Sequence, residues 1–219
     1  LFVEAGTGVG KSFAYLVPAL LRAIHTGQRV VISTNTISLQ EQLMNKDIPM
    51  LKAALGIPFN AVLVKGRQNY ICSRRLKYAL KQGGDLFDKG HYQLIEDLHE
   101  AVYVRGDGSR QSLPEQLPPD VWSQVCAEEG TCSGFVKKQP NCFLAKARQE
   151  MAEAQLLIVN HHLFFSDLAI RSQAAGFLPD YSAVVFDEGH TVEAVASAHM
   201  GIRPSHYAFD RWINRFYTP

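Results

Sequence analysis

Apolar and polar positions fall in blocks along this chain, and the blocks change period in a regular order. Leu1-Phe2-Val3-Glu4-Ala5 reads as a buried strand. A glycine-rich turn, Gly6–Gly10, comes next. From Lys11 to about Ile24 the apolar residues Phe13, Leu16, Val17, Leu20, Leu21 and Ile24 recur at helical spacing, and His25 and Gly27 close that helix. Arg29–Thr34 is a second strand, whose continuous β-branched core suits a parallel sheet covered on both faces. Asn35 or Thr36 caps a helix over Ile37–Met44, Pro49 and Pro58 punctuate the stretch beyond it, and Ala61–Val64 is a third strand.

The alternation stops at Gly66. From there to residue 142 only a helix over His91–Val104 stands out, among glycine pairs, prolines and all four cysteines of the chain. Alternation resumes with a strand at Leu156–Asn160, an apolar segment Leu163–Ile170 and a strand at Ala183–Phe186 that ends in Asp187-Glu188. A helix is expected over Thr191–Ala198, and the aromatic-rich Ser205–Phe216 begins another element. Strands alternating with helices predict an α/β fold. Its parallel sheet carries helices on both faces, has its site at the carboxyl edge, and is interrupted by a mostly helical, cysteine-bearing insertion.

Composition narrows the setting. Of 219 residues, 47% are hydrophobic, enough for one large core or a core with an insertion. The formal net charge is +1, so any nucleic-acid surface must be a local patch. No run of eighteen apolar residues is present, and a membrane helix is not expected. The opening residues lack the basic start of a secretory signal. The cysteines are too few and uneven for a disulfide framework, so a reducing, cytoplasmic setting is expected. The chain opens inside a strand and reads as a fragment.

Ala5-Gly6-Thr7-Gly8-Val9-Gly10-Lys11-Ser12 fits the Walker A pattern, with Ala where the pattern starts on Gly. Glycines let backbone N–H groups turn toward phosphate oxygens, and the helix after them aims its positive end at the same anion. Lys11 then reaches the β and γ phosphates of ATP, and the Ser12 hydroxyl ligates Mg²⁺. A chance glycine turn would not sit between an apolar run and a helix. Val184-Val185-Phe186-Asp187-Glu188-Gly189-His190 supplies the second acidic motif. Asp187 is expected to hold Mg²⁺, Glu188 to orient or deprotonate the attacking water, and His190 to couple the nucleotide site to its neighbours.

Together these segments resemble the DinG/XPD group of superfamily 2 helicases. Glu4–Ser12 resembles its motif I, Ser33-Thr34-Asn35 with Leu39-Gln40-Glu41-Gln42 its motif Ia, and Asp187–His190 its DEAH-type motif II. Gly66–Cys72 is similar to the segment holding the first cluster cysteine. Cys142–Arg148 with Val159-Asn160-His161 is similar to the passage back into the motor. The EAGTGVGK and VNHHLFF wording is closer to DinG than to XPD. The resemblance implies a RecA-like first motor domain at 1–65 and 143–200, an iron–sulfur insertion at 66–142 and the start of an arch-like insertion at 201–219. It also implies an ATP-driven helicase moving 5′ to 3′ on single-stranded or forked DNA in repair or replication, completed by a second RecA-like domain. A nucleotide-gated DNA-binding module, a DinG-like protein acting with a nuclease domain, and a zinc-stabilised P-loop protein are the other readings.

Four thiolates suffice for a 4Fe–4S cluster, and Cys72, Cys126, Cys132 and Cys142 are the four available. No CxxC pair is present, which disfavours a zinc ribbon or finger. Ser133–Asn141 carries no cysteine where a middle ligand often sits in DinG-like chains, and the alternative is that one or two of the four are ordinary buried cysteines. Lys65, Arg67, Arg74, Arg75, Lys77 and Lys81 form an acid-free basic run with Tyr70 and Tyr78 interleaved, suited to phosphates and stacked bases. Lys137, Lys138, Lys146 and Arg148 extend it. Thr34 and Gln40 are expected to touch the DNA backbone by similarity to motif Ia. Adjacent His161 and His162 point to different faces, so they share no metal and serve as hydrogen-bonding residues.

Overall fold

A computed structural model describes residues 1–6, 8–82, 93–99, 102, 106–113, 117–128, 142–171 and 176–201. Among these residues four strands form one parallel sheet: β1 Arg29–Thr34, β2 Ala61–Leu63, β3 Leu156–Asn160 and β4 Tyr181–Phe186, in the order β2-β3-β1-β4. β1 and β3 are central, and their apolar runs are explained by burial on both faces. Val30, Ile32, Leu156 and Ile158 face one way, onto Leu16, Leu20, Leu43 and Leu51. Val31, Leu157 and Val159 face the other way, onto Phe164, Phe165 and Val195. The period of two thus splits one strand between two cores. Each fully buried aliphatic side chain contributes roughly 1.5–3 kcal/mol.

The helices on the first face are α1 Lys11–Thr26, α2 Ile37–Gln42 and α3 Ile48–Leu55. On the second face lie α8 His161–Arg171 and α9 Val192–Met200, with Met151 of α7 Phe143–Glu153. α4 Ser73–Gln82, a helical segment α5 at residues 93–99 and α6 Pro119–Val125 lie between β2 and α7 in the chain. They build a separate apolar cluster around Ile71, Leu76, Ile95, Val121 and Trp122. No helix among the described residues is long and apolar enough to cross a membrane.

Three expectations need correction. Leu1–Ala5 is not a strand: it has no regular structure, and Leu1, Phe2 and Val3 are exposed. An apolar run becomes a strand only where a neighbour takes up its backbone N–H and C=O groups. These residues do not pair with β4, whose outer edge has no partner among the described residues. Pro49, expected to punctuate, instead lies at the second position of α3, inside a continuing helical run and directly after a π-helical turn. A π-helical turn, Leu43–Asp47, joins α2 to α3, so the helix expected over Ile37–Met44 runs on to Leu55. The helix expected over His91–Val104 is present at 93–99, with 102 also helical. Its remaining residues, and Ser205–Phe216, lie outside the described residues.

The parallel register fixes where the chain's polar motifs meet. Thr34 pairs with Asn160, and Ser33 with Phe186. The next residues along each strand, Asn35, His161 and Asp187, therefore leave the sheet at the same carboxyl edge. The loop entering β4 is pinned by Asp167 of α8. Its fully buried carboxylate accepts from the Phe177 and Leu178 backbone at 2.6 and 2.9 Å and pairs with Arg171 at 2.5 Å.

Candidate functional site

The loop at Ala5–Ser12 is shaped for an anion by its backbone. Gly8 and Gly10 hold φ of +77° and +84°, a region L side chains avoid. Gly10 caps α1 with no side-chain hydrogen bond, and the first turn carries no acid. The first N–H groups of a helix lack internal partners, and here no side chain among the described residues caps them. A Cβ built at Gly6, Gly8 or Gly10 would meet nothing within 4 Å, so the loop faces open space. Lys11 and Ser12 are half-buried at the helix start and Ala5 is half-buried before it, while Val9 is exposed. Thr7 lies outside the described residues.

Asp187 stands across from this loop. Its backbone N–H donates to the Ser33 carbonyl at 2.8 Å, extending the β1–β4 pairing by one residue. Its Oδ2 accepts from the Tyr15 hydroxyl at 3.0 Å, and its Oδ1 from the Glu188 N–H at 3.0 Å. Ser12, three residues before Tyr15 on α1, lies close enough to act on the same phenol. Burial, then the Asp187 charge, push the Tyr15 phenol well above its ordinary range, so it remains a donor. Tyr15 was not among the expected site residues. The signal was its spacing: position 15 lies three residues beyond Ser12, on the same helix face.

Glu188 adopts φ 57°, ψ 48°, a left-handed conformation, and it is the one non-glycine with positive φ among the described residues. Its carbonyl accepts from the Thr191 N–H and hydroxyl at 3.0 and 2.9 Å. Its carboxylate lies 3.5 Å from His190 Nδ1 at the exposed rim of the turn. His161 is fully buried behind Asp187, with Nδ1 2.6 Å from the Ser33 hydroxyl, whereas His162 is exposed and meets His199 at 3.1 Å. Burial first pulls the His161 imidazole below its ordinary value, so it is neutral near pH 7.

Residues 1–82 match the DEAD/DEAH box helicase family. Nearly the whole chain aligns with helicase relatives. It is 35% identical to the ATP-dependent DNA helicase YoaA of Haemophilus influenzae over 205 residues, covering 92% of this chain and 31% of that protein. It is 32% identical to the ATP-dependent DNA helicase DinG of Photobacterium profundum, over 97% of this chain and 32% of that one. The chain is DinG-like. Its 219 residues span about a third of the length of these curated relatives. A further relative, the 3'-5' exonuclease DinG of Bacillus subtilis, is 28% identical over 99% of this chain and 23% of its own length.

In this DinG-like chain Cys72, Cys126 and Cys142 lie on adjoining segments, and the fourth cysteine, Cys132, lies outside the described residues. Cys72 precedes α4 and donates its N–H to the Val125 carbonyl at 2.8 Å. Ile71 bridges Cys126 in antiparallel fashion. Cys72 and Cys142 pack on one small apolar group of Tyr70, Ala127, Leu144 and Ala147. Burial pushes the Cys126 thiol up, against the pull of Arg75, and Cys126 Sγ lies 3.8 Å from the Ser123 carbonyl. Among the described residues no three His, Cys, Asp or Glu side chains form a metal-holding group.

The basic run of the DinG-like chain divides by helix geometry. Arg74, Lys77, Tyr78 and Lys81 lie on the exposed face of α4, while Leu76 and Ala79 on the opposite face are buried. Arg67 is half-buried in a 3₁₀ turn. Lys65 is engaged with the Ser109 hydroxyl at 2.7 Å and with Asp107 at 3.8 Å. Lys146 and Arg148 are exposed on α7, and Lys137 and Lys138 lie outside the described residues.

Four expected DNA contacts are corrected. Arg75 donates to the Ser123, Gln124 and Cys126 carbonyls at 2.7, 2.9 and 3.1 Å and pairs with Glu128 at 2.6 Å. It thereby caps the C-terminus of α6, and its donors are spent on the protein. Tyr70 is 6% exposed, and burial pushes its phenol up to about 12, so its ring is packed and not free to stack. Thr34 is fully buried between β3 and β4, with its hydroxyl toward the Thr36 carbonyl at 3.4 Å. Gln40 is 5% exposed on the inner face of α2.

Proposed function

We propose that this chain is the first motor segment of an ATP-dependent DNA helicase. The observation that carries the reading is the Tyr15 hydroxyl of α1 donating to Asp187 at 3.0 Å, which ties the acidic strand end to the helix that starts at Lys11-Ser12. The triphosphate of ATP lies along Gly6–Ser12, Thr7 included, with Lys11 on its β and γ phosphates. Ser12 and Asp187 suit Mg²⁺, a hard cation that takes few protein oxygens and would neutralise phosphate charge. Glu188 orients the attacking water, and His190 modulates that carboxylate from the rim. A second RecA-like domain supplies the arginine that stabilises transition-state charge, so hydrolysis depends on both domains.

Residues 1–65 and 143–200 form the motor, 66–142 an insertion and 201–219 the start of another. The separate apolar cluster around Ile71 and Trp122 supports the first insertion. Its surface for single-stranded DNA is the exposed α4 face, with Arg74, Lys77 and Lys81 for phosphates and Tyr78 for a base, and Arg67 at its margin. Cys72, Cys126, Cys132 and Cys142 hold a 4Fe–4S cluster in a cytoplasmic protein. Three unpaired thiols in one neighbourhood support this donor set. Anaerobically purified protein is expected to be brown, with about four irons and four sulfides per chain, and Cys142→Ser is expected to lose most of both. Zinc in place of iron would sink the cluster.

The B. subtilis relative's name favours a second reading, a DinG-like protein acting with a nuclease domain outside this chain. One assay separates the two. The full-length protein is mixed with end-labelled duplexes carrying a 5′ or a 3′ single-stranded tail. The helicase reading expects ATP-dependent strand separation on the 5′-tailed duplex alone, with strands of unchanged length. ATP-independent shortening of the strands would favour the nuclease, and neither strand separation nor DNA-stimulated hydrolysis would overturn the motor.

A further inference from the structure

α8 and α9 share an apolar cluster on the second face of the sheet, with Phe164 and Phe165 from α8 and Val195 from α9. Outside that cluster each helix carries one histidine that the nucleotide site does not use. His162 is the second residue of α8 and His199 stands in the last turn of α9. Both are exposed, and His162 Nδ1 lies 3.1 Å from His199 Nε2. The rings meet edge to face, with centroids 5.4 Å apart. The two residues are 37 positions apart in the chain, so the pair exists only in the folded protein.

Water competes directly with an exposed hydrogen bond between two imidazoles, and such a bond adds little to stability. The same two nitrogens are a donor set for a cation. Zn²⁺ binds imidazole nitrogen at about 2.0–2.1 Å in tetrahedral geometry, which sets two such nitrogens roughly 3.3–3.4 Å apart. A turn of each exposed ring aims both lone pairs at one ion, which then takes the place of the shared proton. Neither helix opposes a positive ion there. α9 contains no Lys or Arg, and the one such residue of α8, Arg171, lies at its far end and is paired with Asp167. The positive start of α8 at His162 is offset by the negative end of α9 at His199. Imidazole suits Zn²⁺, whereas Mg²⁺ prefers oxygen donors, so this pair is chemically distinct from Ser12 and Asp187.

We propose that His162 and His199 form a binding site for an exchangeable Zn²⁺ ion, which ties the end of α9 to the start of α8. Two imidazoles fill two of the four positions that Zn²⁺ takes, and solvent reaches the others because both residues are exposed. The ion therefore comes and goes, unlike one in a closed four-ligand site. The proposal stands apart from the helicase reading, and its test uses no ATP.

That test takes the full-length protein in excess Mg²⁺. Zn²⁺ alone is titrated in by calorimetry, and amide hydrogen exchange is followed with and without it. His162→Gln, His199→Gln and the double variant are compared with the wild type, so uptake by cysteines is common to all and cancels. His25→Gln, at an exposed histidine near the end of α1, is the control. The wild type and His25→Gln are expected to bind one Zn²⁺ more than the double variant. Each single variant should weaken that site at least about tenfold, since losing even an outer partner of a metal ligand costs about 10- to 100-fold. With Zn²⁺ at about ten times its dissociation constant, exchange of α8 and α9 amides should slow about tenfold in the wild type and stay unchanged in the double variant. Equal Zn²⁺ uptake in the wild type and the double variant would overturn the proposal. Loss of the site in only one of the single variants would mark a lone imidazole and overturn it as well. Binding through both histidines without slower exchange would overturn the tie between the helices.

Discussion

Lys11→Ala is expected to weaken binding of a fluorescent ATP analogue by roughly 10- to 100-fold, the worth of one or two charge-assisted hydrogen bonds. The loss should be partial, because the side chain is one of two independent devices. The other is the loop backbone, set by glycines at φ +77° and +84° and by a helix start that no side chain among the described residues caps. Those donors survive the substitution. Alanine is also the best helix former, and Lys11 occupies the first position of α1, so the fold and melting temperature should hold. The residual binding should then be less sensitive to salt than that of the wild type, since a unit charge has gone and dipoles remain. Titration at two ionic strengths checks both parts. Unchanged affinity would mean that the phosphates do not lie at this loop, and the nucleotide reading would go with it.

The sheet was legible in the sequence to the extent that each strand is its own signal. Val30–Ile32, Leu156–Val159 and Ala183–Phe186 are apolar runs too short and too β-branched for surface helices, and they form strands. Leu1–Val3 has the same character and forms none, because strand identity also needs a partner edge. The nucleotide site was legible because its chemistry is local. A glycine loop and a strand-end Asp-Glu each carry their meaning in a few consecutive residues, and the parallel register brings them to one edge. The basic segment was less legible, since adjacent cations on a helix face different ways. Arg74 is exposed while Arg75 is turned inward to the carbonyls at the end of α6. Burial of Thr34, Gln40 and Tyr70 is likewise set by what packs over them, which no window of sequence reports. Tyr15 and Ser33 joined the site for the reverse reason: each is ordinary in its own element and meaningful only beside Asp187.

Glu188→Gln is expected to lower ATP hydrolysis by about 10²- to 10⁴-fold, the usual worth of a positioned base, and to leave nucleotide affinity within about twofold. Binding survives because the contacts assigned to the phosphates and the metal lie on Gly6–Ser12 and Asp187. The backbone of Glu188 gives an independent check on this role. A left-handed conformation costs an L residue about 1–2 kcal/mol, and glycine would hold it without that cost. The neighbouring residue, Gly189, is glycine, yet the left-handed position itself carries a carboxylate. Glu188→Gly should therefore raise stability, by up to about 1 kcal/mol after the added entropy of the unfolded chain. It should also abolish hydrolysis as thoroughly as Glu188→Gln does. Urea unfolding of both variants beside single-turnover hydrolysis measures the pair. Stability and turnover moving in opposite directions at one position is the signature of strain retained for chemistry. If Glu188→Gly were instead destabilised and still hydrolysed ATP, Glu188 would be a structural cap of the turn before α9, and the water-orienting role would pass to another group.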